Sequence, residues 1–95
     1  MKARTINSRP FELGTISSTP GASATLHPED LDQALKRHAA CDWGACSEND
    51  WDENDCALTE GWSLFSVYHD RNGVPFWIIT EADRSATTIL LPSEY

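Results

Sequence analysis

The run Trp62-Ser63-Leu64-Phe65-Ser66-Val67-Tyr68-His69-Asp70-Arg71-Asn72-Gly73-Val74-Pro75-Phe76-Trp77-Ile78-Ile79-Thr80-Glu81 decides the fold. Its side chains alternate with a period of two, so Ser63, Phe65 and Val67 share one face while Trp62, Leu64, Ser66 and Tyr68 share the other. Asn72-Gly73 between two apolar runs is the strongest short-range hairpin signal a sequence carries. Pro75 lies near the start of the returning strand, where its missing amide donor is tolerated. Ile78-Ile79 predicts burial on both faces, hence a central strand. Asp83-Arg84-Ser85 turns the chain into Ala86-Thr87-Thr88-Ile89-Leu90-Leu91, which Pro92 ends. Residues 62–91 therefore read as an antiparallel meander with a tight turn at Asn72-Gly73. The face of Phe65 and Val67 is expected to be buried, since one large apolar side chain contributes about 1.5–3 kcal/mol. A one-residue slip would send that face to water.

Two helices precede the meander. Pro28 suits a first helical position, Glu29, Asp30 and Asp32 favour the positive end of the dipole, and Lys36 and Arg37 favour the negative end. Leu31, Ala34, Leu35 and His38 follow the i, i+3, i+4, i+7 spacing, so a helix is expected over 28–39. Ser47-Glu48-Asn49-Asp50 resembles a capping box, and Gly61 is a natural left-handed stop, which sets a second helix over 48–60. Trp51 and Leu58 form its narrow apolar seam. Gly44 and Trp43 mark the connector between the helices, Gly44 by its freedom to take a positive φ and Trp43 as a core anchor. Phe11, Leu13 and Thr15 alternate with polar residues, which predicts a short N-terminal edge strand ended at Thr19-Pro20-Gly21. Met1–Pro10 carries Lys2, Arg4 and Arg9 and no acid, and reads as a mobile basic arm. The expected architecture is one α+β domain over 11–95, with two helices on one face of a three-stranded antiparallel meander.

The chain has 95 residues with 15 Asp and Glu against 7 Lys and Arg, a formal charge of −8. That balance excludes a general nucleic-acid binder, which needs a basic footprint, and disfavours a membrane-surface protein, which carries cations beside its apolar face. Three cysteines without a CxxC pair predict no disulfide framework, and the basic start leads into no hydrophobic leader; a cytoplasmic location is expected.

Charge placement is the most unusual feature. Asp42, Glu48, Asp50, Asp52, Glu53, Asp55 and Glu60 lie within nineteen residues that contain no base, and carry −7 of the total. At about 100° per residue, Glu48, Asp52 and Asp55 fall within about 60° of one another on the helix. Their carboxylates step about 5–6 Å along the axis, on the scale of phosphate spacing along a nucleic-acid strand. Like charges at i, i+4 destabilise a helix, and no Lys or Arg compensates them here. A merely solubilising face usually mixes both signs.

Other chemistries fit less well. Asp50, Asp52 and Asn54 match the start of a calcium loop, but Asp55 and Gly61 stand where that loop requires Gly and Glu. His38, Cys41, Cys46 and Cys56 supply four zinc-type ligands at a spacing no common knuckle uses. A thiol activity with Cys46 as nucleophile and His38 as base lacks an orienting third group. No metal and no cofactor are expected. Of Trp43, Trp51, Trp62 and Trp77, at least three should be core or boundary residues, and an exposed one would be a contact hot spot.

Several stretches carry a resemblance: His38, Asp42-Trp43-Gly44, Cys46, Glu48 and Asp50, then Trp77–Arg84 and Thr87–Tyr95. Over about Phe11 to Tyr95 the chain resembles a family of small proteins carried on bacterial plasmids and integrative elements. They are often labelled plasmid-related, or type I restriction methylase subunits, a label a chain this short does not justify. The resemblance implies no catalytic residue. It implies a role in mobile-element maintenance or in blocking host defence, by analogy with acidic inhibitors of restriction or CRISPR complexes that occupy nucleic-acid sites. The expected function is thus a non-enzymatic, acidic anti-defence interaction protein. Glu48, Asp50, Asp52 and Asp55 would supply charge, with Trp43 or Trp51 an apolar anchor, against a basic surface of a host protein. The alternatives are a homodimeric regulatory or structural protein, and a thiol- or metal-dependent activity at His38, Cys41 and Cys46.

Overall fold

The computed structural model describes residues 11–95. In chain order these form β1 (Thr15–Ser18), α1 (Pro20–Thr25), α2 (Pro28–Ala39), α3 (Glu48–Glu60), β2 (Leu64–His69), β3 (Pro75–Thr80), β4 (Ala86–Leu90) and a 3₁₀ turn, Pro92–Glu94. The class is α+β, with a four-stranded mixed sheet in the order β1-β4-β3-β2. The expected arm over 1–10 lies outside the described residues.

The two long helices stand where their signals place them. His27 caps α2, its Nδ1 accepting from the Glu29 amide at 3.1 Å. Ser47 caps α3 by accepting from the Asp50 amide at 3.1 Å, and left-handed Gly61 ends it. A third helix, α1, occupies the stretch read as a turn. Six residues are too few for a hydrophobic period, and this helix depends on distant partners: the Glu94 carboxylate accepts from the Thr19 hydroxyl and, at 2.9 Å, from the Gly21 amide.

The meander is present. β2 pairs antiparallel with β3, and β3 with β4. The hairpin spans five residues rather than two. The Gly73 amide closes a four-residue turn on the Asp70 carbonyl at 2.9 Å, and Gly73 takes φ +83°, while Asn72 keeps a negative φ. The Asp70 carboxylate accepts the Asn72 and Val74 amides at 2.8 and 2.7 Å and so favours this longer loop over the two-residue form. The N-terminal edge strand exists, but it begins at Thr15, not Phe11, and it pairs parallel to β4. Phe11 and Leu13 precede it and bury their side chains around Trp43 and Leu64.

The buried face is the opposite of the one expected. Leu64, Ser66 and Tyr68 point into the core with Phe76, Ile78, Thr80, Thr87 and Ile89, whereas Phe65 and Val67 lie half-exposed on the outer face. Both faces of β2 are apolar, so alternation alone cannot choose between them. Polar partners decide. Ser66 meets His38, and the Tyr68 hydroxyl donates to the Asp42 carbonyl at 2.6 Å. Turning the strand over would strand these groups without partners, a cost of about 1–3 kcal/mol for each buried group left unpaired.

A diagonal of hydroxyls, Ser66, Thr80 and Thr87, crosses this inner face between two apolar clusters. His38 is wholly buried against it. The Thr87 hydroxyl donates to the Leu13 carbonyl at 2.6 Å, which leaves its oxygen to accept from Thr80. Thr80 in turn accepts from His38 Nε2 at 2.9 Å, and His38 Nδ1 accepts from Ser66. Because a carbonyl can only accept, the proton order follows from Leu13 as far as His38 Nε2, which donates, and a neutral imidazole then leaves Nδ1 to accept from Ser66. Burial agrees: it pushes the His38 pKa down to about 4, with the Arg84 charge adding to the effect.

The outer edge of β2 is closed by the connector and by α3. Val67 donates to the Trp43 carbonyl at 3.2 Å and accepts from the Ala45 amide at 2.7 Å. Gly44 lies so close that a Cβ there would sit 2.0 Å from the Val67 carbonyl oxygen. Two residues back along β2, the buried Asn54 side chain accepts the Phe65 amide at 3.0 Å and donates to the Phe65 carbonyl at 2.6 Å.

Candidate interaction surface

All the acids that the sequence singles out on α3, Glu48, Asp50, Asp52 and Asp55, are exposed. Helix geometry divides the α3 acids into two rows flanking the buried Asn54 and Ala57. Glu48, Asp52 and Asp55 form one; Asp50, Glu53 and Glu60 form the other. In the first row, Asp55 has a structural task, since its carboxylate accepts from the Trp43 indole nitrogen at 3.0 Å.

Trp43 itself has no exposed surface. It stacks on Phe11 at 6.1 Å and meets the edge of His38 at 5.5 Å. It is therefore a core residue rather than a contact anchor. Trp51 is half-buried beside the Trp43 cluster, so the helix offers a partner little apolar surface on that side.

The bases among the described residues have other partners. Lys36 pairs with Asp32, Arg37 with Asp42, and Arg71 with Glu29 and Asp30. The Arg37 and Arg71 guanidiniums hold the Asp42 and Asp30 carboxyls below the usual carboxylate range. Arg84, at φ +63°, donates to the carbonyls of Trp62 at 2.6 Å and Ala57 at 3.1 Å, placing a cation at the negative end of α3. Among the described residues, then, no α3 carboxylate belongs to an ion pair.

The outer face of the sheet is the feature that sequence reasoning missed. Phe65 and Trp77 meet edge to face at 5.0 Å, and Trp77 meets Tyr95 at 5.6 Å, which makes an aromatic ladder across β2, β3 and the 3₁₀ turn. Ile79 fills the floor of a groove between them. A second groove, sharing Ser63 and Phe65 with the first, runs to Asp50, Glu53 and the half-exposed Trp62. Trp62, 53% exposed, is the exposed tryptophan that the sequence flags as a contact candidate. The signal for the rest was the apolar character of both strand faces, which reads equally well as burial on both sides.

The thiols and His38 are not arranged for joint chemistry. Both His38 nitrogens are taken by hydroxyls, and burial pushes the Cys41 and Cys46 thiols up, away from the thiolate a nucleophile or metal ligand needs. Among the described residues no helix is long and apolar enough to cross a membrane. No protein-family model, curated protein or solved structure matches the chain.

Proposed function

We propose that the protein is a non-enzymatic acidic interaction protein of a mobile element, an anti-defence inhibitor that competes with nucleic acid for a basic surface on a host protein. The observation that carries this reading is the uncompensated charge of α3. Its carboxylates project from both flanks of one helix, and among the described residues every ion pair lies away from it. A helix bearing only acids pays repulsion along its own length, which a basic partner would relieve. The mobile-element setting comes from the family resemblance, and the mimicry of phosphate spacing from the step between carboxylates.

The test is capture of host nucleic-acid-binding defence complexes in the presence and absence of competing duplex DNA. Binding should fall as DNA is added and as salt rises, since the Debye length shrinks from about 10 Å at 0.1 M to about 3 Å at 1 M. Reversing Glu48 and Asp52 to Lys, which leaves the Asp55 carboxylate on the Trp43 indole in place, should slow association, with Glu12→Lys as the control. Binding unaffected by DNA and by the double reversal would sink the proposal.

A further inference from the structure

The geometry points to the outer face of the sheet, together with the Asp50–Glu53 flank of α3, as a docking site for an arginine-bearing basic segment of a partner protein. The inference rests on the proposed reading that the partner is basic, and it names where and how the partner is held.

Three observations combine. First, the aromatic ladder of Phe65, Trp77 and Tyr95 lies on the sheet face opposite the three helices, and none of its members belongs to either core cluster. Phe65 and Trp77 are half-exposed and Tyr95 is 84% exposed, and clustered aromatic side chains at a surface are found mainly where a partner covers them. Second, the face leads without a break into the groove where Asp50 and Glu53 stand over Trp62 and Phe65. Third, among the described residues no base lines either groove, nor the adjoining one bounded by Glu81 and Glu94. An aromatic floor with an acidic rim fits a guanidinium, which stacks flat on a ring while its edge donates to a carboxylate. It fits a second copy poorly, since two such faces would bring acidic rims together, and nucleic acid worse.

The dimensions suit an extended segment. From β2 to β4 the floor is about 10 Å wide at a strand spacing of about 4.8 Å. Trp62 precedes Val67, the partner of Trp77, by five residues or about 16 Å, so arginines four residues apart on one side of an extended peptide, about 14 Å, would reach Trp77 and the groove of Trp62, Asp50 and Glu53.

The probe is a nonapeptide of alternating arginine and leucine, titrated against the full chain by calorimetry and tryptophan fluorescence; alternating glutamate–leucine and lysine–serine peptides are the comparisons. The arginine peptide should bind about tenfold more tightly than the lysine peptide, and the glutamate peptide should not bind. Trp62→Ser with Tyr95→Ser should weaken it about tenfold, as should Asp50→Asn with Glu53→Gln. These side chains lie outside both core clusters, and circular dichroism of each variant checks that it is folded. Equal binding by the double-aromatic variant overturns the inference, as does loss on Glu48/Asp52 reversal alone. In that second case the acidic-inhibitor reading stands and only the site is wrong. A protein that sediments as a dimer and becomes monomeric on Trp62→Ser/Tyr95→Ser would make this face a self-interface, and direct oligonucleotide binding would also overturn the inference. Loss of DNA competition for the captured host complex, with peptide binding intact, would remove the function and leave the site.

Discussion

Lowering pH should destabilise this protein well before its carboxylates protonate, through His38. The imidazole is wholly buried and makes its two hydrogen bonds in the neutral form. Unfolded, it titrates near 6.5; folded, it titrates near 4. The depressed group favours the native state fully above 6.5, and that advantage is lost as pH falls from 6.5 toward 4, because the unfolded chain takes up the proton first. At about 1.36 kcal/mol per pH unit, the loss is about 2 kcal/mol by pH 5 and about 3 kcal/mol by pH 4. For a chain of this size the pH 5 loss lowers the melting temperature by on the order of 10 °C. Asp30, Asp42, Asp83 and Glu94 are held below their ordinary pKa by hydrogen-bonded partners, so their stabilisation is lost only at lower pH. The window from 6.5 to 5 therefore lies above these carboxylates, and the His38→Gln variant separates His38 from the other two histidines. Urea unfolding followed by tryptophan fluorescence at pH 7.5, 6.5, 5.5 and 5.0 measures the slope. His38→Gln keeps a donor and an acceptor without the titration, and should flatten it even if it starts less stable. A wild-type midpoint that does not move between pH 7.5 and 5, or a His38→Gln slope as steep as wild type, would refute the argument.

Other perturbations test single joints. Asn54→Ala should cost about 2–3 kcal/mol in urea unfolding, because it leaves both the amide and the carbonyl of Phe65 without their side-chain partner. Gly44→Ala should be more damaging, since the added carbon would meet the Val67 carbonyl oxygen and force the connector off the edge of β2; loss of slow hydrogen exchange at the Val67 and Ala45 amides would report it. Glu94→Ala should release α1 while sparing the meander, seen as faster exchange at Gly21 and Ala22 with the β3 amides unchanged. EDTA should leave the melting temperature where it is; a collapse would restore a His38, Cys41, Cys46 and Cys56 metal site.

The exposure of the α3 acids was legible in the sequence, and the aromatic surface beside them was not. That Glu48, Asp50, Asp52 and Asp55 would be exposed follows from a helix whose apolar seam is narrow. That Trp43 would be buried and Trp62 exposed does not follow, since both are tryptophans beside a helix end with a glycine next to them. Trp43 is drawn in by Asp55, which gives its indole N–H a partner, and by the stacking of Phe11 from a remote part of the chain. Trp62 lies beyond α3, where Arg84 holds its carbonyl and leaves its ring outside.

Local chemistry alone determined α2 and α3, because caps, dipole charges and a 3.6-residue period act within a single turn or two of helix. It likewise determined the meander of β2, β3 and β4, where a period of two and a turn rich in Asp, Asn and Gly act between neighbours. Only the tertiary structure decided which face of the sheet is inside, that β1 runs parallel to β4, and that α1 is a helix. In each case the deciding bond joins residues far apart in the chain: Ser66 with His38, Leu13 with Thr87, Gly21 with Glu94. Hydrophobic pattern says how much of a strand is apolar. Which side of it is buried depends on where its few polar groups find partners, and those partners come from elsewhere in the fold.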